Sequence, residues 1–342
     1  PPRLCSSAAS DVYKRQLHLS ETLQRIHTLA VSTQTLSLLN MKNLHIQHPE
    51  DSILCGDLSV LDAFADRMNN SYSVKIDGSP AIVWGTNPDN GKFFVGTKSV
   101  FNKVRPKINY SVEDICNNHK NFELQSILIR CFHCLPRREE VPFQVFQGDF
   151  IGFGGYRDYK PNAISYTFDE VMHGGVVVAP HTYYTGDVFK DMEAKPLSFV
   201  LLSGRGADFI QPDAWITDKE ALMPVMDIDM MIGFARQMAT MVDFVDEKEA
   251  IQLKKDLNAY IKDGDEIVAE EFANYQLVRL WLLVENIKTE FTKLRRDNFK
   301  CDCWLGNQFV MGEGYVMAGR HGLYKLVDRP TFSHYNFNII RS

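Results

Sequence analysis

The sequence predicts an α+β fold, built of antiparallel sheets flanked by helices, with a helical block inserted late in the chain. Three observations predict it. Residues 51–215 read as short strands separated by Gly, Pro and Asn breaks. Residues 217–300 read as long, charged stretches with helical periodicity. Strand character returns after residue 300. The absence of a regular strand–helix alternation argues against a doubly wound parallel sheet.

The elements follow in order. Residues 1–16, PPRLCSSAASDVYKRQ, resemble translated sequencing adapter and stand outside fold reasoning. Residues 17–50 form an N-terminal segment, with roughly helical periodicity over 17–40 and the first methionine at Met41. The first part of the core spans 51–217. Its strand material is VKIDGSPAIVWG (74–85), KFFVGTKSVF (92–101), PFQVFQGDFIGFGG (142–155), AISYTFDEV (163–171) and GGVVVAPHTYY (174–184). Between these strands, residues 112–135 carry apolar side chains at helical spacing. The helical insertion, 218–300, contains the periodic runs 218–245, 247–261 and 270–297, with Gly264 marking a turn. The last strands of the core lie in 301–342, in NQFVMGEGYVMAG (307–319) and GLYKLVDR (322–329).

Composition bounds the function. The 342 residues are 45% apolar and 23% charged, which is globular material with a sizeable core. A net charge of −6 gives no global field for polyanions, so any nucleic-acid contact has to be a local patch. No apolar run reaches the roughly 18 residues of a membrane span, and no membrane partner is expected. Seven scattered cysteines point to reduced thiols in a cytoplasm, the host's if the chain is virus-encoded. The oligomeric state is left open.

Lys75 stands out because it lies inside apolar strand material and is followed by Asp77-Gly78. A glycine there lets a ligand approach the main chain closely. An amine held against an apolar strand is desolvated, which lowers its pKa and makes it a usable nucleophile, for instance toward phosphorus. The pattern K-x-D-G resembles the first motif of the covalent nucleotidyltransferases, which include the ATP-dependent polynucleotide ligases and the mRNA-capping guanylyltransferases. The ordered set downstream extends the resemblance over residues 51–342. Lys98 in GTKSVFNK stands where phage RNA ligases carry a basic residue. FQVFQGDFIG ends near Asp149, like the third motif. ISYTFDEV resembles the segment whose ring stacks on the purine, with Phe168 first and Tyr166 second in line. EGYV matches E-G-x-V, and GLYKLVDR supplies Lys325 as the fifth-motif lysine.

The resemblance implies an enzyme of ligase-adenylation fold. Lys75 would attack the α-phosphate of ATP to form lysyl-AMP, and AMP would pass to a 5′-phosphate end, RNA more readily than DNA, for joining to a 3′-hydroxyl. Lys75, Lys325 and Glu313 would carry the catalysis. Lys75, Asp77, Gly78, Lys98, Asp149, Phe168 and Lys325 would bind the nucleotide, and Glu313 and Asp149 would hold Mg²⁺. Asp149 stands where the family usually has Glu, and Val327 where it has a second lysine. Two alternatives stay open: a degenerate member that binds nucleotide or nucleic acid without turnover, and AMP transfer to another acceptor. With 17 residues after Lys325, an OB-fold domain is not expected, and the outline is most similar to phage RNA ligases. Two basic stretches are candidates for polynucleotide grip, 92–107 with Phe93, Phe94 and Phe101 interleaved, and 288–300. GKFFVGTKS fails the P-loop pattern, GFGG is a plain glycine cluster, and His181 reads as a satisfied or core histidine rather than a catalyst. Cys131, Cys134, Cys301 and Cys303 have unusual spacing for zinc.

Overall fold

A computed structural model describes residues 46–137, 145–197, 201, 206–210, 226–293 and 301–338. All lie within one unit, Asn40–Ser342. The expectations for 1–16 and for most of 17–50 fall outside the described residues.

Three sheets form the β framework. The largest has the order β3 (Phe93–Gly96), β2 (Ala81–Thr86), β4 (Val145–Gly152), β7 (Val176–Thr185) and β8 (Glu193–Pro196). These pairs are antiparallel, and β9 (Ala207–Phe209) adds to β7 in parallel. A second sheet runs β11 (Gln308–Val310), β10 (Cys301–Leu305), β6 (Ile164–Phe168) and β5 (Asp158–Tyr159). The third joins distant parts of the chain: β1 (Ser71–Val74) pairs with β12 (Gly314–Gly319), which pairs with β13 (Gly322–Val327).

The stretch 74–85 is not one strand. β1 ends at Val74 and β2 begins at Ala81, and the two belong to different sheets. The Asp-Gly-Ser-Pro segment between them is the crossing. There Ser79 N–H donates to the Phe150 carbonyl at 3.0 Å, and Phe150 N–H donates to the Pro80 carbonyl at 3.0 Å. β4 thus clamps the crossing on both sides.

The helices start and stop where their caps dictate. The periodic run 112–135 divides into α3 (Val112–Asn118) and α4 (Phe122–Cys134), because Ser111 caps the first and Asn121 the second through side-chain oxygens. α1 (Pro49–Ser52) and α2 (Ser59–Ala65) precede β1. The late block gives α5 (Met226–Ala239), α6 (Glu247–Asp263) and α7 (Tyr275–Lys293), and α8 (Arg329–Asn338) follows β13. Asp246 caps α6 at its start, and Gly264 ends it in the left-handed conformation at φ 77°.

The late helices share one core with the small sheets. α7 packs on α1, α5 and β13, α5 on α2, and α6 on α8. Leu280, Trp281, Val284 and Ile287 of α7 are buried with Tyr315, Met317 and Leu326 of the third sheet. α4 instead covers one face of the largest sheet, through Leu128 and Cys131 against Phe146, Val176 and Val178. The helical block is therefore the platform beneath β12 and β13.

A fully buried ion cluster ties that platform to the N-terminal helix. Lys288 of α7 donates to Glu50 at 2.7 Å, and both side chains are 0% exposed. Arg329 reaches Glu50 at 3.3 Å and Asp51 at 2.8 Å, and donates to Asn258 at 2.6 Å. Of the basic stretch 288–300, Lys288 is consumed inside the core, Lys293 is the exposed basic residue in the last turn of α7, and 294–300 lie outside the described residues.

Candidate functional site

Lys75 lies one residue beyond β1, where its N–H donates to the Gly314 carbonyl at 2.8 Å. Val74 and Ile76 on either side are buried, so Lys75 projects from the opposite face. Its Nζ lies 2.5 Å from Glu313 Oε2 and 3.3 Å from Asp77 Oδ1. Glu313 immediately precedes β12. The glycine after it is required: Gly314 sits at φ +139°, and a Cβ there would meet the Leu326 carbonyl at 2.0 Å. The E-G pair thus brings β12 against β13 and aims the carboxylate at Lys75.

Asp77 is held from two sides. Its N–H donates to the Tyr166 hydroxyl at 2.8 Å, and Asn162 donates to its carboxylate. Gly78 is pressed onto β4, where a Cβ would meet the Phe150 carbonyl at 2.6 Å and Asp149 Cβ at 3.1 Å. Lys325, on β13 opposite Val316, has its N–H fixed by the Gln47 carbonyl at 3.0 Å. Its ammonium makes no ion pair among the described residues.

The electrostatics correct one expectation. Burial alone would lower the Lys75 pKa, but Glu313, Asp77 and Asp149 outweigh it and hold the ammonium well above the ordinary lysine range. The resting lysine is therefore charged and paired. Burial raises the Glu313 carboxyl to about 7, against the opposing pull of Lys75. Lys325 is pushed down, first by burial and then by the charge of Lys75, with Lys98 adding to it. Burial also raises the Tyr166 phenol well above its ordinary value, so it stays protonated.

Asp149 sits between two irregularities of the β4–β7 ladder. Gln147 pairs with Thr182 and Gly148 with Pro180, leaving His181 as an extra residue in β7. Phe150 pairs with Val178 and Gly152 with Val177, leaving Ile151 extra in β4. Bulges re-aim side chains beside them. His181 Nε2 comes to 3.8 Å from Asp149 Oδ1, with 40% of the His181 side chain exposed and 18% of Asp149. His181 is partly exposed rather than part of the core, while its Nδ1 is satisfied by the Thr182 hydroxyl at 2.7 Å. The signal was Pro180, since a proline inside a central strand marks a bulge.

Lys98 is exposed on the turn after β3, close enough for its charge to act on Lys325. Phe168 is 7% exposed and packs against Tyr159 and Tyr166 at ring separations of 5.9 and 6.4 Å. Of the two rings in that segment, Tyr166 is the one that touches the Lys75–Asp77 loop. In the basic stretch 92–107 the phenylalanines pack on other rings: Phe94 is buried and meets Phe189 edge to face, Phe101 stacks on Phe189, and Phe93 lies tilted against Phe132 with Arg137 over its ring. Lys92, Lys98, Lys103 and Arg105 are left exposed.

The assembled site draws on both halves of the chain, and one family pattern spans the same extent. The pattern of the family described as "Family of unknown function (DUF6267)" matches residues 43–276 and 266–341. The chain belongs to this family. No curated protein and no solved structure matches it. In this DUF6267 member no group of three or more His, Cys, Asp or Glu among the described residues is arranged to hold a metal. No helix among them is long and apolar enough to cross a membrane. What the site offers is a paired lysine, a half-buried lysine without an ion pair, and carboxylates on three separate strands or loops.

Proposed function

We propose that this chain is an ATP-dependent nucleotidyltransferase of the polynucleotide-ligase type, that its α+β framework is the ligase-adenylation fold, and that RNA ends are its favoured substrate. The observation that carries this is the 2.5 Å contact between Lys75 Nζ and Glu313 Oε2, made across 238 residues of sequence by the two segments that match K-x-D-G and E-G-x-V. Lys325 beside it supports an anion site, because a half-buried cation with no ion pair gains most from an incoming phosphate.

The chain's own residues divide the work. Lys75 Nζ gives up a proton to Glu313, the nearest acceptor, whose burial has already raised its affinity for protons. The neutral amine attacks the α-phosphorus of ATP. An N–P bond forms, the P–O bond to the β-phosphate breaks, and pyrophosphate leaves. Lys325 and Lys98 steady the phosphate oxygens. A 5′-phosphate oxygen then attacks the AMP phosphorus, the N–P bond breaks and Lys75 takes back a proton; a 3′-hydroxyl attacks the adenylylated 5′-phosphate, losing its proton, and AMP leaves as the phosphodiester forms. Asp149, and Glu313 in its ionised form before it takes the Lys75 proton, would hold Mg²⁺. One or two carboxylates suit this ion, which completes its shell with water and substrate phosphates, so a set of three protein ligands is not needed. When bound, Mg²⁺ offsets charge on the polyphosphate. The exposed cations at Lys92, Lys103 and Arg105 form the local patch for a polynucleotide backbone, through phosphates rather than bases, since the neighbouring phenylalanines are engaged with other rings of the chain.

Incubation with α-labelled ATP and Mg²⁺ tests this. Label is expected on the intact chain and is expected to vanish in Lys75→Ala. Competition by unlabelled ATP, GTP and NAD identifies the nucleotide. Absence of label, or undiminished label in the variant, defeats the proposal. A rise in Tm with ATP but no label would mean binding without turnover.

A further inference from the structure

We propose that His181 is a specificity-determining residue that, together with Asp149, seats a sugar hydroxyl of the bound nucleotide. The inference rests on the nucleotidyltransferase reading above.

The geometry of the bulge carries it. His181 is the residue of β7 left without a partner on β4, and its ring is turned toward Asp149 rather than kept in the alternation of the strand. Its Nδ1 is occupied by the Thr182 hydroxyl at 2.7 Å, which leaves Nε2 as the working atom. Nε2 and Asp149 Oδ1 are 3.8 Å apart, too far for a direct hydrogen bond. An oxygen about 2.8 Å from each atom fits that gap. A hydroxyl suits it best, because it can donate to the carboxylate and bond the ring nitrogen at once. A phosphate oxygen has no hydrogen to donate and would face the charge of Asp149.

The position suits a nucleotide. Asp149 Cβ lies against Gly78 of the Lys75 loop, and the charge of Asp149 is felt at Lys75. His181 is the more exposed of the two side chains, at 40% against 18%, so its ring is within reach of a ligand from solvent. A simple water bridge between the two groups is the rival occupant.

The test measures kcat/KM for lysyl-AMP formation with ATP, 2′-deoxy-ATP and 3′-deoxy-ATP, using the wild type, His181→Ala and His181→Asn. The wild type should discriminate against one deoxy analogue by about tenfold or more, the worth of a hydrogen bond to a hydroxyl. In His181→Ala that ratio should collapse toward one, through a loss confined to ATP and the analogue that keeps the hydroxyl. His181→Asn, which retains a polar side chain, should keep part of the ratio. Equal use of all three nucleotides by the wild type, or a uniform loss in His181→Ala, would mean a water bridge or a structural histidine and would overturn the inference. If the wild type labels but the ratio is the same in His181→Ala, this inference alone fails. No labelling with any nucleotide would sink the nucleotidyltransferase reading and this one with it.

Discussion

Among the described residues, two lysine–glutamate pairs each span 238 residues of sequence, and their surroundings differ. Lys288–Glu50 is sealed: neither side chain is exposed, and Arg329, Asp51 and Asn258 close the ring of partners. Lys75–Glu313 is open, with 17% and 10% of the two side chains exposed and the unpaired Lys325 beside them. Charges that are fully enclosed and mutually matched hold helices together. Charges of the same kind with an unfilled neighbour are poised to meet a ligand. Chemical type does not separate the two pairs. The surroundings do.

Paired deletions should break the comparison most sharply. Lys75→Ala is expected to abolish labelling by ATP while leaving the chain folded, because Glu313 can take up a proton near neutral pH. Lys288→Ala is expected to cost about 3–5 kcal/mol by denaturant titration, the penalty for stranding a buried carboxylate. If Lys75→Ala destabilised the chain more than Lys288→Ala, the distinction would be lost.

Gly314→Ala probes the backbone that aims Glu313. It should cost on the order of 2–3 kcal/mol, given its φ and the carbonyl in the way, and labelling should fall along with Tm. An unperturbed Tm would show that the close approach of β12 to β13 is not needed.

The double charge reversal Lys103→Glu with Arg105→Glu should weaken binding of a labelled oligonucleotide by about tenfold and flatten its salt dependence, yet leave lysyl-AMP formation near the wild-type level. Unaltered anisotropy titrations would remove this patch from the substrate path.

A further test concerns pH. Glu313 holds its proton more tightly folded than unfolded, since burial lifts it from 4.5 to about 7. The native state therefore carries the extra proton inside that window, and stability falls as pH rises through it. Glu313→Gln should flatten the fall in melts run from pH 4.5 to 7. An equally steep fall in the variant would place the titration elsewhere.

Much of the site was legible because its pieces are local. K-x-D-G and E-G-x-V each put a charged group beside a glycine, and in both cases the structure needs the glycine for close packing. The caps at Ser111, Asn121 and Asp246 likewise place helix starts from adjacent residues. What escaped depended on distant partners. Nothing near Lys288 in sequence announces Glu50, and nothing near Lys75 announces that three carboxylates outweigh its desolvation. His181 falls between these cases: Pro180 flagged a bulge, but which way the ring turns is decided by β4.

The pairing of β1 with β12 has a consequence for synthesis. Lys75 emerges from the ribosome early, but the strand partner of its segment is made some 240 residues later. Until then the nascent chain carries a reactive-looking segment with no edge to dock on, and contacts of such long separation form slowly. A chain released before β12 is complete therefore lacks the strand that holds Lys75 in place beside Glu313.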